Sequence, residues 1–236
     1  MGGVFDARYT ERQMAKATAS QAAPASPAEA SPPPADTLGL RIRTARVASG
    51  DTLRGFARRL GVSPSLISQI ERDRVMPSVA TLYAIASELG VSMDDLIHDE
   101  SSSGPRQARA RRSPVQRHDT RTAISLAGGV TWEQLAPSAD DEVEFLYVTY
   151  EPGAASAAED SLIRHGGREY GVVTSGLLGV RVGFEDFELG PGDSIVFDSR
   201  LPHRLWTIGD EPAKAIWFVV NRHGDARGSL MPTASR

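Results

Sequence analysis

The sequence predicts two domains of opposite class, an all-α head of five helices followed by an all-β barrel, and three observations carry that prediction. Between residues 38 and 98, apolar residues recur at three- and four-residue spacing between capping and helix-stopping residues. Between 122 and 223 the period drops to two and glycine-containing turns come often. Charge divides along the same line. Arg41 to Arg74 holds eight Arg against Asp51, Glu71 and Asp73, whereas 122 to 223 holds sixteen acids against seven basic residues, in a chain of net charge −4. A basic front and an acidic back indicate separate jobs, with nucleic acid a partner for the front alone.

At 236 residues the chain has room for two modest domains with tails, and 40% hydrophobic content allows true cores. No apolar run reaches the roughly 18 residues that span a bilayer. The N-terminus lacks the basic-then-apolar pattern of a signal peptide, so a cytoplasmic protein without membrane attachment is expected. There is no cysteine, which excludes a disulfide framework and a thiolate metal site.

Residues 1–37 include AKATASQAAPASPAEASPPPAD, a stretch of Ala, Pro and Ser with nothing to bury. It reads as a disordered tail or, alternatively, a Pro-rich docking ligand. The first helix is expected over Leu38 to Val47, offering Arg41, Arg43 and Arg46 to phosphates. Thr52 then caps a helix whose Leu53, Phe56, Ala57 and Leu60 share one face. Gly61 supplies a left-handed stop, Ser63 caps the next helix, and Pro64 opens it where a missing N–H does no harm. That helix divides by face, with Ile67 and Ile70 toward a core and Ser65, Ser68, Gln69 and Arg72 opposite. Small hydroxyls, an amide and an Arg on one short face suit a major groove: Gln can bond an adenine edge twice and Ser fits either base type. A solvated face on an ordinary bundle is the plain alternative; the turn chemistry and the local excess of Arg favour DNA. After Pro77, Ser78 caps a helix with Leu82, Ile85, Ala86 and Leu89 on one side, stopped by Gly90, and Ser92 caps a short last helix through Leu96 and Ile97.

These residues resemble the lambda-repressor-like helix-turn-helix of the XRE family, over LGLRIRTAR and TLRGFARRLGVSPSLISQIERDRVMPSVATLYAIASELGVSMDDLI, residues 38–98. The resemblance implies a five-helix DNA-binding domain in which Ser65, Ser68 and Gln69 face bases and Ser63 and Pro64 stand at the groove entrance. It also implies backbone contacts from Thr52, Arg72 and Arg74. The family usually has Gly after the recognition helix where this chain has Asp73, a residue that tolerates the left-handed conformation. Since one such unit reads only a few base pairs, a homodimer on a repeated half-site is expected.

Residues 99–121 contain turn formers, six Arg and no apolar periodicity, and read as a flexible basic linker, either solvated or attracted to DNA. Beyond it, Val143–Tyr150, Leu178–Val182, Ser194–Phe197 and Ala215–Val220 read as strands, with turns at Gly176, Gly183, Gly190 to Gly192, and Gly209. Several short strands at this spacing indicate an antiparallel sandwich or barrel. Residues 224–236 are expected to be a C-terminal tail.

The chemistry of the barrel gathers in RHGGREYGVVTSG and GPGDSIVFDSRLPHRLWT, which hold His165, Glu169 and His203. Two imidazoles and a carboxylate are the donor set of a non-haem iron site. The region resembles the cupin barrel, a jelly roll or double-stranded β-helix. Glu169 and Gly176 match its first motif with His165 in the second His position, and Ile163 replaces the first His. Gly192 and His203 match the second motif, with Asp198 and Arg200 where Pro and Gly are usual. The resemblance implies a divalent metal (Fe, Zn, Ni or Mn) on His165, Glu169 and His203; a metal-free sensor pocket lined by the same residues is the alternative, and no other cofactor is expected. Trp206, just behind His203, is expected to line the effector pocket, although barrel packing is the plainer role for Trp206 and Trp217. Together the two resemblances imply a one-component transcription regulator that binds an operator in double-stranded DNA and senses a small molecule. The rival of another class is an iron-dependent enzyme of the fosfomycin-epoxidase type; a metabolite-binding cupin with a vestigial head is a third reading.

Overall fold

The computed structural model describes residues 37–97, 114–137, 140 and 142–220. The tail expected over 1–37 (Thr37 excepted), the linker up to residue 113 and the C-terminal tail lie outside the described residues. The described residues belong to one compact body.

Five helices form the head: α1 (Leu38–Ala48), α2 (Leu53–Arg59), α3 (Pro64–Ile70), α4 (Val79–Leu89) and α5 (Met93–Ile97). Each begins where a hydroxyl can satisfy an amide that has no helical acceptor. Thr37 accepts from Leu40 N, Thr52 from Gly55 N, Ser63 from Leu66 N, Ser78 from Thr81 N and Ser92 from Asp95 N. Gly61 and Gly90 take the left-handed conformation expected of them. Ile42, Phe56, Ala57, Ile67, Ile70, Leu82 and Ile85 are buried in the head, which fixes α3 with its outer face to solvent. Asp73 is left-handed at φ 53°, alone among the described non-glycine residues. Its carboxylate also accepts from Thr37 Oγ1 and Gly39 N, so the residue that departs from the family pattern ties the end of α3 to the start of α1.

Two of the three arginines expected to reach phosphates from α1 are committed elsewhere. Arg46 is buried and pairs bidentately with buried Glu71, with Nη2 to Oε2 at 2.9 Å, while Nη1 donates to Asp51 O. Arg41 donates to the carbonyls of Leu96 and Ile97, closing the end of α5. Arg59 pairs with Asp51 and Glu88. The basic face is therefore narrower than the sequence count implies, with Arg43, Arg54, Arg58, Arg72 and Arg74 exposed.

Among the described residues the barrel has nine strands: β1 (Ala123–Leu126), β2 (Val130–Gln134), β3 (Val143–Tyr150), β4 (Arg168–Ser175), β5 (Leu177–Val182), β6 (Glu185–Leu189), β7 (Ser194–Asp198), β8 (His203–Ile208) and β9 (Ala213–Val220). They form an antiparallel six-stranded sheet in the order β1-β2-β3-β9-β4-β7 and a three-stranded sheet β6-β5-β8. Strands β3, β5, β7 and β9 coincide with those read from the sequence. In β4 and β8 the inward faces carry Glu169, Gly171 and His203 while β4 sets Tyr170 and Val172 outward, and β6 has no buried residue, which hides the period of two. In β3, β4, β8 and β9 every second residue is buried, so one face of each points into the barrel. An isolated bridge pairs Ile163 with His203, with mutual N–H to carbonyl bonds at 2.8 and 3.0 Å. The position of the missing family His is thus directly across from His203.

Head and barrel touch directly. Ala80 N donates to Ser156 O at 3.1 Å and Ala127 N to Pro77 O at 3.0 Å. The described end of the expected linker is also attached: His118–Thr120 makes a 3-10 turn, Arg121 bonds Glu133 at 3.2 Å, and its guanidinium lies 5.9 Å from the Tyr147 ring centroid. Among the described residues no helix is long and apolar enough to cross a membrane.

Glu71→Ala should strand the Arg46 charge in the head and cost about 3 kcal/mol of stability, read as a lower urea midpoint at unchanged slope.

Candidate functional site

The polar stripe of α3 is where the sequence places it. Ser65 and Arg72 are exposed, Ser68 and Gln69 half-buried. Its members bond to one another along the helix: Gln69 Nε2 donates to Ser65 Oγ at 3.3 Å, and Arg72 donates to Ser68 Oγ at 2.7 Å and Ser68 O at 2.9 Å. These contacts preset the side chains pointing outward. Thr52 and Ser63 are exposed and spend one oxygen lone pair each on a helix cap, which leaves the hydroxyl hydrogen for a phosphate. Pro64 and Arg74 are exposed beside them.

Inside the barrel, β4 presents Glu169 and β8 presents His203 on their inward faces, and the turn before β4 brings in His165. His165 Nε2 and His203 Nε2 lie 3.0 and 3.1 Å from the same atom, Glu169 Oε1. The imidazoles meet edge to face with centroids 5.1 Å apart. Each Nδ1 is 2.9 Å from a backbone carbonyl, Gly166 O for His165 and Leu201 O for His203. A carbonyl can only accept, so each Nδ1 carries the hydrogen and each neutral ring turns an Nε2 lone pair toward Glu169. Glu169 Oε2 accepts from Trp217 Nε1 at 2.7 Å, leaving Oε1 as the atom on which the rings converge. Three acceptors so close together need a cation among them, a proton or a metal ion. His165 Nε2 and Glu169 Oε1 are buried with no hydrogen-bond partner of good geometry, which fits a cation shared between them. Burial opposes charge on Glu169, but hydrogen bonds from the imidazoles, made when their Nε2 atoms carry a proton, outweigh it and hold its pKa well below the usual carboxylate range. Burial likewise opposes charge on His203, and its bond to Glu169 carries the pKa upward. Burial, followed by the Glu169 charge, pushes Tyr150 up.

The surrounding cavity is lined by Trp132, Tyr150, Ile163, Leu205 and Trp217 of the barrel and by Val79 and Tyr83 of α4. Space open to the centre of a water-sized sphere is only about 20 Å³, room for one water or one ion. Trp206 is not part of it, contrary to expectation. It stands on the other face of β8 from His203, its ring against Gly179 and 5.0 Å from the Arg204 guanidinium. The tryptophans in the cavity are Trp132 and Trp217, and the Trp217 ring lies over Gly171, where a Cβ would fall 2.0 Å from it. Tyr83 and Glu144 were also not singled out from the sequence. Each carried a readable signal: Glu144 shares the inward face of β3 with Leu146, Val148 and Tyr150, and Val79 and Tyr83 form a second apolar stripe on α4. Asp198 and Arg200, where the cupin pattern has Pro and Gly, form an ion pair across the turn before β8 at 2.6 Å, and Arg200 holds Asp198 down to about 2.

The family models that match are helix-turn-helix over residues 42–96 and cupin domain over residues 146–219. The head is 41% identical over 66 residues to the HTH-type transcriptional regulator YazB of Bacillus subtilis (strain 168), an alignment spanning 28% of this chain and 96% of that protein. The chain belongs to the helix-turn-helix transcriptional regulators. Over both domains the regulator is similar to the HTH-type transcriptional regulator PuuR of Escherichia coli (strain K12), 24% identical over 166 residues, 70% of this chain and 84% of that one. Its fold is shared with an HTH_3 family transcriptional regulator from Vibrio cholerae, with a TM-score of 0.55 and 24% identity, covering 78% of this chain and 94% of the other.

Gly171→Ala should force the Trp217 ring off its bond with Glu169 and destabilise the regulator by about 1–3 kcal/mol through overpacking, measured by chemical denaturation.

Proposed function

We propose that the regulator reads an operator in double-stranded DNA with α3 and that its barrel senses a small-molecule effector beside a divalent metal. The observation that carries the first half is the outward stripe Ser65, Ser68, Gln69 and Arg72, held on a helix that is capped by Ser63 and anchored by Ile67 and Ile70. Gln69 and the serines read base edges. Arg72, Arg74, Thr52 and Ser63 bond the backbone and supply most of the affinity, with a steep salt dependence. Pro64 keeps the start of α3 free of an unpaired amide.

For the metal, the donor set fits: His165 Nε2, Glu169 Oε1 and His203 Nε2 converge, and possible ligand atoms of the three lie within 4.8 Å of one another. The carbonyls of Gly166 and Leu201 and the indole of Trp217 orient the three side chains from behind. Fe, Zn, Ni or Mn bound there would act as a Lewis acid toward an effector donor atom. An iron oxidase is the second reading that this donor set supports, and tight iron with oxygen uptake would favour it. The outward stripe, which an oxidase has no use for, supports the regulator.

We further assign the apolar outer face of β4, β7 and β9 to a second copy of the chain. Tyr170, Val172 and Val196 are 44%, 43% and 50% exposed there and adjoin Ile216 and Phe218, and two heads are needed for two half-sites. Val196→Asp should halve the mass seen in sedimentation at micromolar concentration.

The deciding experiment is fluorescence anisotropy of the full chain on its own upstream DNA, with random duplex as competitor, at two salt concentrations. Selective, salt-weakened binding is expected; equal weak binding to both duplexes would sink the operator reading. In the same assay Gln69→Ala should lose about 1–3 kcal/mol of specific binding, roughly 5- to 150-fold, with binding to random duplex unchanged. His203→Ala and Glu169→Ala should abolish Zn²⁺ uptake in titration calorimetry while leaving operator preference intact; lost preference would refute that division of labour.

A further inference from the structure

The cavity is closed by the DNA-reading head. Tyr83 of α4 stacks on the His165 imidazole with ring centroids 4.3 Å apart and planes 12° apart, and meets Trp132 edge-on at 5.7 Å. Its hydroxyl donates to Glu144 Oε2 at 3.2 Å. With about 20 Å³ left beside Glu169, nothing larger than a water or an ion enters until a lining group moves. The barrel walls β3, β4 and β9 are held by long antiparallel ladders, interrupted in β4 only by a register shift between Val173 and Ser175, so moving one breaks many backbone bonds together. The backbone bonds that seat α4 are those of Ala80 N to Ser156 O and Ala127 N to Pro77 O. Lifting α4 is the smaller opening.

We propose that Tyr83 is the gate of the sensor cavity and occupies the effector's own place: the effector is a planar, hydrogen-bond-donating small molecule that displaces the phenol from His165 and thereby releases the head from the barrel. This rests on the reading of the barrel as an effector site and adds the class of ligand and the route of the signal. Planarity follows from the slot beside His165 and Trp132. A donor on the effector takes over the bond that the phenol O–H makes to Glu144, which is itself buried. The effector binds the lifted state and Tyr83 the seated one, so whatever favours seating weakens effector binding, and DNA affinity changes through the same equilibrium. The signal passes through α4 itself, with residues 99–121 needed only as a tether.

Two amides gauge seating in the full chain. Ala80 is the second residue of α4 and has no acceptor in its own helix, and Ala127 bonds across the junction. Their hydrogen exchange should be measured in the wild type, Tyr83→Phe and Tyr83→Ala, with and without 4-methylphenol, the side chain that the alanine variant lacks. In Tyr83→Ala both amides should exchange about tenfold faster or more and be restored by 4-methylphenol but not by the saturated 4-methylcyclohexanol. Tyr83→Phe, which keeps the ring and loses the bond to Glu144, should show a smaller rise. In the wild type, excess 4-methylphenol should speed exchange at both amides by competing with Tyr83. Unchanged exchange in Tyr83→Ala, or no response of the wild type to 4-methylphenol, would overturn the gate; equal rescue by the saturated analogue would overturn the planar ligand. Should Tyr83→Ala not fold, Tyr83→Phe and the wild-type titration decide. Operator selectivity is read independently by anisotropy, so a failed gate leaves the regulator standing and a failed operator assay leaves the gate intact.

Discussion

Glu169 is the constraint on which the barrel's chemistry depends. A carboxylate 4% exposed, with both imidazoles aimed at one oxygen and an indole N–H at the other, is tolerable only with a cation, a proton or a metal ion, shared between that first oxygen and the two Nε2 atoms. The demand propagates outward. The histidine rings must be turned so that Nδ1 faces a carbonyl. Trp217 must lie flat enough to reach Oε2, which leaves Gly171 no room for a side chain. His203 must enter β8 from a turn tight enough to put Leu201 O behind it, and the Asp198–Arg200 pair closes that turn where the family pattern relies on Pro and Gly. Loss of the first motif histidine to Ile163 then follows a simple logic. The position sits opposite His203 on a backbone bridge, and an apolar side chain there closes the cavity wall while three donors remain.

The head shows the same economy with charge. Eight arginines between 41 and 74 suggest a broad phosphate-binding face, but Arg46, Arg41 and Arg59 hold the helices together. The bidentate Arg46–Glu71 pair joins α1 to the end of α3 and, through Asp51 O, to the turn before α2. A buried pair of this kind contributes little net stability against an apolar replacement; what it provides is a fixed angle for the helix carrying Ser65, Ser68 and Gln69. Asp73 does related work at the next residue but one, accepting from Thr37 and Gly39 in a left-handed turn.

Seating of α4 on the barrel mouth changes what the two domains are to each other. A flexible linker between a reader and a sensor leaves the signal to chain entropy and dimer geometry. A helix that belongs to the head's core through Leu82 and Ile85, and to the barrel's cavity through Val79 and Tyr83, is shared by both. Any change of contents in the cavity is then felt by the helix that positions the reader.

Much of this was legible in the residues. Caps, stops and apolar spacing determined five helices and their order, because hydroxyl capping, left-handed glycine and helical period are local properties that need no partner. Alternation determined β3, β5, β7 and β9, and motif spacing brought out His165, Glu169 and His203. Tertiary structure decided the rest. Whether an arginine meets a phosphate or a buried glutamate depends on what lies across the core from it, as Arg46 shows. Whether Trp206 or Trp217 enters the cavity depends on strand parity and on which glycine lies opposite, Gly179 or Gly171. Tyr83 belongs to an α-helix, and only the docking of that helix on a barrel distant in sequence places its phenol on His165. Local pattern specifies elements; the partners that give a side chain its role are set by contacts between residues far apart in the chain.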